Sequence, residues 1–110
     1  MKLLLLILTA ALPALGADDM ARGLKLKGEG NLLAAEAAFE RAVKANPRDV
    51  DALTQLATVQ GWQKRYGRAI ATWEKALKLA PRCGECRVGL ARVLFWNGER
   101  AKALERLDQA

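Results

Sequence analysis

Histidine is absent from the 110 residues of this chain, and cysteine occurs only twice, at Cys83 and Cys86. Without histidine there is no Ser-His-Asp set. Arg87, directly after Cys86, closes off the Cys-x-x-Cys-His form of haem attachment. A zinc site would lack two of its four usual ligands unless carboxylates or another chain supplied them. The glycines are scattered, so no glycine-rich phosphate loop is present. Glu36, Glu40, Glu74 and Glu105 fall where helix surfaces would place them, and nothing singles out a carboxylate pair for hydrolysis. The expectation is a chain without catalytic residues, cofactor or metal. Long apolar runs are equally scarce. The longest such stretch, Leu3 to Leu12 with Thr9 its one polar residue, is about half of the 20 or so residues that a spanning helix needs.

That stretch opens the chain in the form MKLLLLILTAALPALG. A single basic residue, Lys2, precedes the apolar run, and Pro13 and small residues follow it, which is the pattern of a secretory signal. Ala14 and Gly16 stand three and one positions before the expected cut, so the signal covers residues 1–16 and the mature chain starts at Ala17. The run has no polar face and does not suit an amphipathic first helix of the domain. No cysteine follows it to carry a lipid. Removing it takes one lysine of the formal +6 and leaves 17 basic side chains against 12 acidic ones. These alternate along the chain and form no block, as on a solvated helix surface. Nucleic acid is not an expected partner. About 94 residues remain, enough for one small domain.

Pro47 and Pro81 lie 34 residues apart, and the same period aligns much else. Gly23, Ala57 and Ala91 share one register, Ala35, Ala69 and Ala103 another, and Ala42, Ala76 and Ala110 a third. Phe39, Trp73 and Leu107 form the large position between them. Within a block the apolar residues recur at three and four, as in Leu53, Leu56 and Ala57 and then Ala69, Ile70, Trp73, Ala76 and Leu77, which is the helical period. Gly30, Gly67 and Gly98 lie near the middle of their blocks, and the prolines near the ends. Each block therefore reads as two helices joined by a tight turn. Small residues on both helices let the backbones approach, and Phe39 or Trp73 fills the space beside them.

With those positions laid out, the blocks resemble tetratricopeptide repeats. Leu53, Leu56, Ala57, Tyr66, Ala69, Trp73, Ala76 and Pro81 meet the family pattern in the second block, and Leu90, Ala91, Leu94, Gly98, Ala103, Leu107 and Ala110 in the third. The first block is degenerate, with Asp19 and Arg22 at positions that usually carry large apolar residues. The resemblance implies an all-α fold, a right-handed superhelix of antiparallel helix pairs. It divides the mature chain into repeats at 17–49, 50–83 and 84–110, the last one incomplete. It also implies that the first helix of each pair lines a concave face that holds a protein or peptide partner. The third block stops about five residues short of the family pattern. We therefore expect either that the chain is the front of a longer protein, the reading we favour, or that Leu104 and Leu107 meet a partner. The run Gly89 to Gly98 resembles the repeats that precede outer-membrane β-barrels of the YaiO type. That resemblance, carried by one block, implies a periplasmic module partnered by a C-terminal outer-membrane domain of the same full-length protein.

Cys83 and Cys86 open the third block at a spacing that puts side chains on one helix face, in an export route that oxidises thiols. We read them as a local disulfide. Closing so small a loop is worth about 2 kcal/mol at most, less than the burial of several large side chains at about 1.5 to 3 kcal/mol each. The alternative is a thiol-disulfide redox helper, because a helix N-terminus lowers a thiol pKa. Trp62 and Trp96, also 34 apart, end the first helices of their blocks. The family's groove positions correspond to Thr54, Thr58 and Trp62, then Val88, Arg92, Phe95 and Trp96. Two readings stand for the indoles: core packing against the next helix, or aromatic anchors of a peptide groove with Arg92 as a charge clamp.

Overall fold

The computed structural model describes residues 16–108. The expected signal segment, apart from Gly16, and the register position at Ala110 lie outside the described residues. All regular structure among the described residues is α-helical: α1 (Ala17–Gly28), α2 (Leu32–Ala45), α3 (Val50–Trp62), α4 (Tyr66–Leu79), α5 (Gly84–Trp96) and α6 (Arg100–Asp108). None of these helices is long and apolar enough to cross a membrane. Each packs against its neighbours in sequence, and α3 also touches α5. Three hairpins, α1–α2, α3–α4 and α5–α6, thus stack in chain order.

Local chemistry sets the boundaries. Asn31 and Asp49 cap α2 and α3 by accepting the amides of Ala34 and Ala52 at 3.4 and 3.1 Å. Between hairpins, Pro47 and Pro81 hold the second position of four-residue turns, which close where the Asp49 and Cys83 amides reach the Asn46 and Ala80 carbonyls at 3.1 and 3.0 Å. Within hairpins the turn residues are Gly30, Lys64 and Gly98, all left-handed, at φ 79°, 63° and 82°. Their amides bond back to Lys27, Gly61 and Phe95 at 3.0 Å, and the next amides reach the Leu26, Gln60 and Leu94 carbonyls, so all three helices end in a Schellman motif. Gly67, expected near the second turn, instead lies inside the first turn of α4.

The periodic positions form the core. Ala35, Ala69, Ala42, Ala76, Phe39 and Leu90 have almost no accessible surface, and Trp73 retains 4%. The close approaches are specific. A Cβ added to Gly23 would fall 2.6 Å from Cδ1 of the Phe39 ring, which makes the bare backbone there a packing requirement.

One core position departs from the sequence expectation. Glu36, expected on a helix surface, is 2% exposed and occupies the register of Ile70 and Leu104. Its carboxylate accepts the side-chain amides of Gln63 at 2.8 Å and Gln60 at 3.4 Å. Arg65 and Arg68 pair with it at 3.2 and 3.8 Å. Thr72 donates to Gln60 Oε1 at 2.7 Å and extends the network across α2, α3 and α4. A buried carboxylate persists because every oxygen is met.

Candidate functional site

Thr54, Thr58 and Trp62 are four residues apart on α3, and Val88, Arg92 and Trp96 repeat that stripe on α5. The structure gives these side chains different environments. Thr54 is buried, and its hydroxyl donates to the Asp51 carbonyl at 2.8 Å; that of Thr58 donates to the Thr54 carbonyl at 2.7 Å. Both hydroxyls are satisfied within their own helix. Trp62 and Trp96 keep 49% and 44% of their surface.

Each tryptophan rests on the preceding hairpin. The Lys27 ammonium lies 5.3 Å from the centre of the Trp62 ring, within cation–π range, and is held there by a 2.7 Å bond to Gln55 Oε1. One repeat on, Gly61 takes the place of Lys27, and a Cβ there would meet Trp96 at 3.6 Å and Val93 at 3.4 Å. Tyr66 leans on Trp96 with ring centroids 6.2 Å apart. Trp62, Trp96, Tyr66, Gly61 and Lys64 enclose an open hollow of about 260 Å³. Next to it, between α3 and α5, the space lined by Thr58, Trp73, Gly89 and Arg92 among others is only about 20 Å³. The stripe is a shelf with a closed floor.

Val88 and Phe95 belong elsewhere. With Leu104 and Leu107 of α6 they line a cleft of about 320 Å³ whose polar members are Arg92 and Arg100. Arg100 lies over the Phe95 ring at 5.8 Å. Arg92 borders both the shelf and the cleft. Sequence reading missed Lys27, Lys64 and Tyr66 as shelf residues. The 34-residue correspondence of Lys27 with Gly61 was the signal available for the first.

Cys83 and Cys86 are disulfide-bonded, with Cα atoms 5.3 Å apart. The Cys83 sulfur caps α5 by accepting the Cys86 amide at 3.1 Å, and Cys86 is wholly buried. Among the described residues no cluster of three or more His, Cys, Asp or Glu side chains could hold a metal. Titration is perturbed away from the shelf, at α6: hydrogen bonds from Lys102 and Asn97 hold the Glu99 carboxyl below its usual range, and Glu99 raises the Lys102 ammonium in turn.

Two family models, each described as tetratricopeptide repeat, match residues 62–110 and 20–60. Similar solved structures include the TPR2B domain of yeast Sti1 in a complex with pHsp70, 22% identical over 86% of this chain and 75% of that one, with a TM-score of 0.82. MamA is 20% identical over 87% of this chain and 56% of its own, at 0.82. YrrB, described as a TPR protein with an unusual peptide-binding site, is 22% identical over 93% and 52%, at 0.83. The chain thus spans about half the length of MamA and YrrB, and at these identities the likeness is one of fold. No curated protein matches the sequence.

Proposed function

This chain belongs to the tetratricopeptide repeat family, and from that premise we propose that it is a protein–protein interaction module whose α3–α5 shelf holds a partner segment. Trp62 and Trp96 are the anchors and Arg92 the charged contact. The observation that carries the reading is the pair of half-exposed indoles, one repeat apart, each pinned from behind by the preceding hairpin and flanking one hollow. Exposed, pre-positioned tryptophans offer large contact area at little entropic cost, which is why interface energy concentrates on such residues. The Sti1 complex and the description of YrrB support peptide binding on this fold.

We further place the module outside the inner membrane, in the bacterial envelope. Support comes from the apolar Leu3–Leu12 run after Lys2 and from two cysteines at bonding distance. The resemblance at Gly89–Gly98 suggests an outer-membrane domain of the same full-length protein as the partner. A redox role for the cysteines has less support, because Cys86 is buried and the Cys83 sulfur serves as a helix cap.

The test is selection of binding peptides from a displayed random library against the oxidised chain. Selected peptides are expected to quench tryptophan emission and to bind at least tenfold more weakly to Trp62→Ala and Trp96→Ala, a loss of about 1.4 kcal/mol or more. Peptides indifferent to both substitutions would place recognition elsewhere.

A further inference from the structure

Lys64 occupies a register that the other two repeats give to glycine, Gly30 and Gly98, and like them it is left-handed, at φ 63°. That conformation crowds the Cβ of an L-residue against its own backbone, so glycine is the residue that folding stability favours there. Strain of this kind gathers where a side chain serves a purpose other than folding. Among the described residues Lys64 has no ion-pair partner to offset it. What Lys64 does line is the hollow between Trp62 and Trp96.

That hollow owes nothing to what lies past α6. Trp62 keeps 49% of its surface with one hairpin stacked before its own and another after it. One repeat earlier the counterparts of Trp62, Lys64 and Tyr66 are Gly28, Gly30 and Leu32, and Lys27 lies over the indole. The combination of two indoles, a phenol and a strained lysine therefore occurs at one junction among the described residues.

Charge decides what fits there. No acid lines the hollow or the narrow space next to it, where the cations are Lys64 and Arg92, both exposed. Arg92 likewise has no ion-pair partner among the described residues. A basic side chain from a partner would stack on Trp96 as Lys27 does on Trp62, but it would face both cations. An acidic one meets them. Its methylenes lie against the indoles, while its carboxylate, repelled by the negative ring faces, turns outward to the ammonium on its flexible stem. Resting on the assignment of the α3–α5 shelf as a binding site, we propose that Lys64 is its specificity residue. It selects a partner segment whose glutamate or aspartate side chain sits between Trp62 and Trp96 with the carboxylate on Lys64.

The probes are peptides selected from a displayed random library on the oxidised full chain, then synthesised with an amidated C-terminus so that only side-chain carboxylates remain. Each acid of the tightest binder is replaced in turn by its amide. One replacement should weaken binding about fivefold, as for a partly shielded ion pair, but less than about twofold when the protein carries Lys64→Gln. Lys64→Gly should weaken the unaltered peptide as much as Lys64→Gln does while raising the midpoint of thermal unfolding. Lys64→Arg should restore affinity to within about twofold of the parent. Lys75→Gln, at an exposed lysine of α4, should stay within the same limit, which separates a local pair from the general attraction of a chain with formal charge +6. Peptides that need Trp62 and Trp96 but carry no acid, lose binding on amidation, or keep their acid dependence with Lys64→Gln would overturn the proposal and leave the shelf standing as a binding site. Peptides indifferent to both tryptophans, or no binder at all, would overturn both.

Discussion

Gly89 of α5 lies directly under the indole of Trp73 on α4, so close that a Cβ would come within 2.6 Å of the ring's Cε2. Phe39, one repeat earlier, makes the corresponding close approach backward, onto Gly23 of its own hairpin. The large residue of the first hairpin locks that hairpin, whereas Trp73 fastens the second hairpin to the third. Its indole N–H is buried with no hydrogen-bond partner among the described residues, so shape holds the ring.

Gly89→Ala sets two effects against each other. Alanine favours a helix interior by about 1 kcal/mol, while overpacking a rigid ring costs about 1 to 3 kcal/mol. At this distance overpacking wins, and urea unfolding should show a net loss. Gly67, on α4 with open space where its Cβ would be, is the control. Gly67→Ala should be neutral or stabilising.

Lys64 is the one non-glycine among three left-handed turn residues in the same register. A left-handed conformation costs an L-residue about 1 to 2 kcal/mol, so Lys64→Gly should raise the midpoint of thermal unfolding. Gly30→Ala and Gly98→Ala should lower it. A Lys64→Gly variant less stable than the parent would contradict the turn assignment.

Glu36 joins the first two hairpins from inside. Glu36→Ala strands the buried Gln60 amide, leaves the Gln63 amide only its bond to the Val59 carbonyl, and removes the partner of Arg65 and Arg68, whose guanidinium groups face solvent. The two part-exposed arginines rehydrate and the buried amide does not, so we expect a loss of about 2 kcal/mol in chemical denaturation. An unchanged midpoint would show that the network carries no net stability.

The Cys83–Cys86 bond spans one helical turn, and its removal should be mild. Serine at the fully buried Cys86 would add a desolvation penalty of its own, so the informative variant is Cys83→Ser with Cys86→Ala. It should remain folded at room temperature and lose about 2 kcal/mol or less. Unfolding of this variant would mean that the bond, rather than the stacked core, holds α5 in place.

Most of the fold was legible because it is a repeat. Small positions at Ala35 and Ala69, large ones at Phe39 and Trp73, and the prolines at Pro47 and Pro81 each carry a local cause that recurs at the same spacing. The second turn was misplaced for the converse reason. The glycine that marks it in the other blocks is absent, and Gly67, three residues on, drew the assignment. Glu36 reads as a surface residue because its partners lie 24 to 32 residues away in sequence, and a lone acid on an apolar face carries no sign of them. The division of the candidate residues between shelf and cleft was likewise invisible. Helical periodicity puts Val88, Arg92 and Trp96 on one stripe, but only the packing of α6 decides which neighbour each one faces.

The account rests on tryptophans of two kinds, Trp62 and Trp96 presented to a partner and Trp73 sealed between hairpins. Acrylamide quenching of three variants, each retaining a single tryptophan with phenylalanine at the other two positions, tests this most directly. The account predicts efficient quenching of Trp62 and Trp96, protection of both by a selected peptide, and a blue, unquenched Trp73 with or without it. Emission from Trp62 and Trp96 as blue and protected as that of Trp73 in the free protein would contradict it.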